Sequence, residues 1–122
     1  MLGKSLVVAG ALLTLAGVAY AAEPYGVFER PSTGSHVRFY NCGGKLCGKV
    51  IAVKEPSRKG EIGKFVMRGG VKNGNSWKGT LVDVGSGKTY SGTITAESAS
   101  ALSVQGCLMS MLCQTESWPR VK

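Results

Sequence analysis

From Gly26 onward, apolar side chains fall on every second residue in short runs, and glycines interrupt the runs. This pattern constrains the fold more than any other feature of the chain. In HVRFY (36–40), Val37 and Phe39 share one face, while His36, Arg38 and Tyr40 share the other. SWKGTLVDV (76–84) sets Trp77, Gly79 and Leu81 against Lys78, Thr80 and Val82. KTYSGTITA (88–96) sets Tyr90, Gly92 and Ile94 against Thr89, Ser91, Thr93 and Thr95, and ALSVQG (101–106) sets Leu102 and Val104 against Ser103 and Gln105. A period of two gives a strand with one wet face and one buried face. YGVF near the start, KVIAV (49–53), KFVM (64–67) and ESWPRV (116–121) read as further strands, about eight in all. KNGNS (72–76) carries an Asn-Gly turn signal, and GSGK (85–88) reads as a tight hairpin. EPSRKGEIG (55–63) reads as a longer, mobile loop. Strands at hairpin spacing with almost no helical period predict an all-β chain, an antiparallel barrel or sandwich of about eight strands. Glycines within strands, such as Gly79 and Gly92, suit the sharp bends of a small barrel.

The N-terminus sets the compartment. Lys4 precedes an uncharged apolar run from Leu6 to Val18, and Ala19-Tyr20-Ala21 follows with small residues at both positions that a signal peptidase requires. The run is shorter than the roughly 20 residues that span a bilayer. The segment therefore reads as a signal peptide, residues 1–21, removed before a single domain of residues 22–122. The expected location is periplasmic or secreted.

All four cysteines lie after that segment, and an even count in a small exported chain predicts a disulfide framework. Cys42 and Cys47 bracket Gly43-Gly44-Lys45-Leu46, between two candidate strands. If those strands form a hairpin, the cysteines face each other across its end, where cross-strand Cα atoms stand about 4.5 Å apart. Cys107 and Cys113 bracket LMSML in the same way. A metal site needs four ligands, and Cys42–Cys47 just fits the loose end of Cys-x2-4-Cys, but Cys107 and Cys113 have five residues between them and exported thiols are normally oxidised; a redox pair needs Cys-x-x-Cys at a helix start. The expected pairing is Cys42–Cys47 with Cys107–Cys113. LMSML (108–112) is expected to cap the barrel, the alternative being an exposed patch for a partner or membrane.

Fifteen Lys and Arg oppose seven Asp and Glu, a formal net charge of +8. The basic residues are spread along the chain without a dense block. They read as a solvated surface or as an attraction for anionic partners, such as a membrane, surface glycans or acidic ligands. Lys45, Lys49 and Lys88, at expected hairpin tips, are the candidates for such contacts. Nucleic acid is not an expected partner, since basic and aromatic residues do not interleave.

CGGKLCGKV (42–50), WKGTLVDVGSGKTY (77–90), LSVQG (102–106) and WPRV (118–121), in this order and spacing, resemble the domain of unknown function 2147 family of small exported bacterial proteins. The resemblance covers nearly all of residues 22–122. It implies a lipocalin-like β-barrel with no established activity. Two departures stand out. The family opens with Gly-x-Trp where this chain has Gly26-Val27-Phe28, and its longer Asp/Asn-Pro segment is replaced here by the shorter EPSRKGEIG. A ligand site built by that segment therefore does not carry over. In lipocalin-like barrels a first-strand aromatic packs near a last-strand arginine. The resemblance places this closure at Phe28 and Arg120; Arg120 also follows Trp118 by two positions, so its guanidinium is expected to lie over a ring.

Catalysis is not expected. The chain has one histidine, His36, on a polar face, and its carboxylates form no paired motif. Asp83 precedes GSGK and reads as a turn cap. No cofactor or metal is expected. An eight-stranded barrel just holds its own side chains or one small ligand. Val37, Phe39, Val50, Ala52, Trp77, Leu81, Tyr90, Ile94, Leu102 and Val104 are the inward candidates. Of these, Phe39, Trp77, Leu81, Tyr90 and Ile94 are expected to line a site for a small apolar, amphipathic or anionic ligand. The alternative is a filled core.

Overall fold

The computed structural model describes residues 22–109 and 111–122. The expected signal peptide, residues 1–21, lies outside the described residues. Eight strands follow one another: β1 Gly26–Arg30, β2 Ser35–Cys42, β3 Lys45–Ala52, β4 Phe65–Asn73, β5 Ser76–Val82, β6 Thr89–Ser98, β7 Ala101–Leu108 and β8 Leu112–Pro119. Each pairs antiparallel with the next, in sequence order. β8 then returns to β1. Phe28 bridges Arg120, Val27 donates its N–H to the Lys122 carbonyl at 2.6 Å, and Val121 donates to the Val27 carbonyl at 2.6 Å. The result is a nearly closed barrel. Among the described residues the only helical element is a 3₁₀ turn, Pro56–Glu61.

Three local readings need correction. The strand expected at 64–67 continues to Asn73, because the register shifts between Met67 and Val71 and breaks the period-two signal there. The segment expected as a mobile loop holds the 3₁₀ turn. The Arg58–Glu61 ion pair at 3.0 Å lies within the turn, and bonds from Gly63 N–H to the Val50 carbonyl at 2.8 Å and from Val50 N–H to the Lys64 carbonyl at 3.0 Å join the end of the segment to β3. The hairpin at GSGK is a six-residue connection, 83–88, closed by Asp83 N–H to the Lys88 carbonyl.

Two strand glycines are covered by large side chains of the neighbouring strand. A Cβ on Gly48 would stand 2.5 Å from the Phe39 ring, and one on Gly92 would stand 2.3 Å from Leu81. Glycine lets these large side chains lie flat across the neighbouring strand. Phe39 is thereby directed toward Phe28 and Trp118, each ring 6.1 Å away, centroid to centroid. Leu46, Met67, Ile94 and Leu102 are buried in the same cluster. Ala52, expected inward, is only half-buried and borders an outer depression beside β1 and β2, because the β2–β3 register slips between His36 and Val37.

The two ends of the barrel differ. One end gathers residues 22–25, the C-terminus and three short turns, 43–44, 74–75 and 99–100. The other gathers the connections 31–34, 53–64, 83–88 and 109–111. The longer connections frame the mouth described next.

Candidate functional site

The packed core fills the end that holds residues 22–25 and the C-terminus. At the opposite end a cavity of about 620 Å³ remains, with walls from β1, β4, β5, β6, β7 and β8. Val66, Leu81, Tyr90, Val104 and Trp118 supply its apolar lining. Of the five residues expected to meet a ligand, Leu81 and Tyr90 therefore border the cavity. Phe39, Trp77 and Ile94 are buried in the packed half and do not.

Three charged residues line the same mouth: Arg30, Asp83 and Glu116. Strand parity explains their direction. Arg30 follows inward-facing Phe28 by two positions, and Glu116 precedes buried Trp118 by two. The Arg30 guanidinium stands 3.6 Å from Asp83 and 3.8 Å from Glu116. Both separations exceed hydrogen-bonding reach, and Arg30 Nε is shielded from solvent without a partner. The carboxylates, by contrast, are already engaged. Gly85 N–H donates to Asp83 Oδ1 at 3.1 Å, so the turn-capping reading of Asp83 is observed. Trp118 Nε1–H donates to Glu116 Oε1 at 2.8 Å. Burial pushes the Asp83 carboxyl up, but the Gly85 amide, the Arg30 charge and Ser86 together outweigh burial and hold it below its ordinary value. The sequence reading missed Arg30 and Glu116 as cavity residues. Alternation was the available signal, since each lies two positions from an aromatic, Phe28 or Trp118, that the sequence placed at the barrel closure.

The apolar loop does not cap the cavity. Met109 is 89% exposed, Met111 84% and Leu112 70%, while Leu108, Met111 and Leu112 also border the mouth. The hairpin projects because Cys107 and Cys113 are directly opposed and bridged, with Cα atoms 4.0 Å apart. The other bridge, Cys42–Cys47, is diagonal rather than directly opposed. Cys42 faces Lys45 and Cys47 faces Tyr40, so the Cα separation is 5.9 Å. The intervening Gly43-Gly44 turn has φ of 71° and 85°, which suits a two-residue hairpin. All four cysteines are paired, an arrangement suited to an oxidising compartment.

At the other end, Arg120 seals the seam. Its guanidinium lies over the Phe28 ring at 4.6 Å. It donates to the carbonyls of Ala99 and Tyr25 at 2.6 Å each and of Glu23 at 3.2 Å. Trp118 packs beside Phe39 rather than against Arg120.

The cations that are spread out in sequence are gathered in space. No Asp or Glu occurs in 37–54 or 62–82. Arg38 and Lys49 are register partners on the outer wall, and Arg68 faces Cys47 on the next strand. The Phe65 ring lies between them, 4.8 Å from Lys49 Nζ and 3.9 Å from the Arg68 guanidinium. Elsewhere on the outside, His36 Nε2 meets Glu29 at 3.1 Å, so the sole histidine has a surface partner. Among the described residues no group of three His, Cys, Asp or Glu gathers in a metal-holding arrangement.

A family model described as "uncharacterized protein conserved in bacteria (DUF2147)" matches residues 26–120. The chain belongs to this family. The DUF2147 chain also superposes on a solved structure titled "Protein HP1028 from the human pathogen Helicobacter pylori belongs to the lipocalin family", with a TM-score of 0.65 and 18% identity. That match covers 84% of the DUF2147 chain and 85% of the other. At this identity the likeness establishes a shared lipocalin-like fold. No curated protein matches the sequence.

Proposed function

We propose that this protein is an exported, non-catalytic carrier that takes one small apolar or amphipathic ligand at the mouth of its barrel. In this reading residues 1–21 are a signal peptide, residues 22–122 form one lipocalin-like domain, and the protein works in the periplasm or outside the cell. The observation that carries it is the cavity of about 620 Å³ beside an otherwise close-packed core. Small-molecule pockets commonly run about 300–1,000 Å³ and combine an apolar lining with a few polar groups. Leu81, Tyr90, Val104 and Trp118 supply the lining, and Arg30, Asp83 and Glu116 the polar groups. The test is titration with the apolar probe N-phenyl-1-naphthylamine at low and high salt. Saturable, salt-insensitive binding that Val104→Phe removes while the melting transition is kept supports the carrier. Absence of saturable binding, or binding indifferent to Val104→Phe, overturns it.

A second reading is favoured by the carboxylate-free wall around Phe65. Cations held together with no acidic neighbour in the flanking strands attract anionic surfaces. Binding to vesicles rich in phosphatidylglycerol would then fade as the Debye length falls from about 10 Å to about 3 Å. Lys49→Glu with Arg68→Glu would abolish it. Salt-insensitive vesicle binding, or none, would reject this reading.

A further inference from the structure

We propose that the tip of the β7–β8 hairpin inserts into the surface of a phospholipid bilayer bearing anionic headgroups, with the mouth of the barrel turned toward the lipid. This contact uses a different face from the wall around Phe65, and it does not depend on the carrier reading. Among the described residues seven large apolar side chains stand exposed, and five of them lie at the mouth end: Ile62 on the 53–64 connection, and Leu108, Met109, Met111 and Leu112 on the hairpin. The remaining two, Val71 and Val121, are scattered elsewhere. An apolar patch gathered at one projecting point marks a contact surface.

The hairpin is shaped before it meets anything. β7 and β8 stay paired out to Leu108 and Leu112, and the Cys107–Cys113 bridge clamps them one step below. Little ordering is therefore left to be done on contact. A strand residue advances about 3.3 Å, so the tip reaches roughly 5–7 Å past the bridge. Interfacial apolar segments sit about 5–10 Å deep at the boundary of headgroups and acyl chains.

Two observations select a bilayer over a protein partner. First, residues 98–115 contain no Asp, Glu, Lys, Arg or His, so no charge has to leave water when the tip enters an apolar phase. Second, cations flank the tip. The connections 31–34 and 109–111 carry no charge, while 53–64 and 83–88 together hold five Lys and Arg against three Asp and Glu. Glu61 is taken by Arg58, and Asp83 faces Arg30. Exposed Lys54, Lys59, Lys64 and Lys88, which make no ion pair among the described residues, then outnumber Glu55. An apolar wedge with cations beside it holds a segment at an anionic interface. Leu108, Met111 and Leu112 also border the cavity. In this orientation the cavity opens onto the lipid, and an apolar ligand passes between them without crossing water.

The experiment is flotation of the protein, expressed from the full chain and recovered after export, with two kinds of vesicle at low and high salt. One is phosphatidylcholine alone, and the other is phosphatidylcholine with phosphatidylglycerol. The protein is expected to bind both, roughly tenfold more tightly to the anionic vesicles at low salt, with the two affinities converging as salt screens the lysines. Met109→Ser with Met111→Ser should weaken binding to both by roughly tenfold or more at high salt, the factor that burial of one such side chain accounts for, while the melting transition is kept. Lys54→Gln, Lys59→Gln and Lys88→Gln together should remove most of the preference for phosphatidylglycerol and leave binding to phosphatidylcholine. Absence of vesicle binding would overturn the proposal. So would binding that the methionine substitutions do not weaken, or a preference for phosphatidylglycerol that is missing or survives the lysine substitutions, since the contact would then lie on another face such as the Phe65 wall. A dimer seen by light scattering that the methionine substitutions dissolve, with no vesicle binding, would assign the tip to a second copy and overturn it as well. Failure of N-phenyl-1-naphthylamine to bind bears on the carrier reading alone.

Discussion

Arg120→Ala removes one side chain that ties three segments of the closed end together. The guanidinium joins β8 to the residues before β1 and to the β6–β7 turn, through Tyr25, Glu23 and Ala99. Two of its bonds are exposed and are replaced readily by water. The bond to the Tyr25 carbonyl at 2.6 Å is partly buried, and a hydrogen bond to a charged group contributes about 1.5–3 kcal/mol, of which the lower end applies here. The contact with Phe28 at 4.6 Å adds about 1 kcal/mol in a partly desolvated setting. The expected loss is roughly 2–3 kcal/mol, or about 10–20 °C in melting temperature for a domain of this size. Thermal unfolding followed by circular dichroism measures it. A double-mutant cycle with Phe28→Leu isolates the ring contact, and a coupling of about 0.5–2 kcal/mol is expected. A change below about 0.5 kcal/mol for Arg120→Ala, the ordinary range for a surface substitution, would refute the role of this side chain in closing the barrel.

Gly48→Ala should destabilise by about 1–3 kcal/mol, since its Cβ would meet the fully buried Phe39 ring at 2.5 Å; urea unfolding without loss of stability would show that the ring has room to move. Peptide mapping without reduction should return Cys42–Cys47 and Cys107–Cys113, and replacing either pair with Ala should lower stability by about 2 kcal/mol; a crossed pairing would contradict the hairpin geometry. Met109→Ser with Met111→Ser should leave the unfolding free energy from urea titration within about 0.5 kcal/mol of the parent, because both side chains stand in solvent; a larger loss would mean that the tip packs on the barrel after all. Asp83 has a lowered folded-state pKa, so its contribution is present above the ordinary carboxylate value and is lost as pH falls through the lowered one. Asp83→Asn should therefore flatten the fall in stability below about pH 4, and an unchanged acid limb would show that the Gly85 and Arg30 contacts do not favour the ionised form.

The alternation of Val37 with Phe39, Tyr90 with Ile94 and Leu102 with Val104 made most strands legible, because one face of each meets the core. It failed where backbone geometry departs from period two. β4 was shortened at the register shift beyond Met67, where Gly69-Gly70 offers no apolar side chain to read. The pairing of the cysteines was readable from hairpin spacing, but the diagonal offset of Cys42 and Cys47 depends on which residues face each other across β2 and β3. The cavity was the least legible feature. Trp77 and Leu81 share a strand face, yet one is packed into the filled half and the other borders the opening. Which half of a barrel stays open depends on how far Phe39, Met67 and Trp118 reach across it, a property of three dimensions. Likewise the charges of Arg38, Lys49 and Arg68 are far apart in sequence and become one wall only through strand pairing.

Because Val27 and Lys122 are hydrogen-bonded neighbours at the closed end, the part of the chain from Ala22 to Lys122 forms almost a ring interrupted once. A short glycine-serine bridge from Lys122 to Ala22 would complete that ring, and the chain could then be reopened elsewhere without changing which strands are adjacent. Opening it within 43–44 would leave the new ends held by the Cys42–Cys47 bridge. Opening it at Gly85–Ser86 would carry both new ends to the mouth, beside Asp83. A circularly permuted chain of the second kind would bring a fused fluorescent reporter within reach of whatever enters the barrel, and the fold would become a sensor with its transducer at the rim.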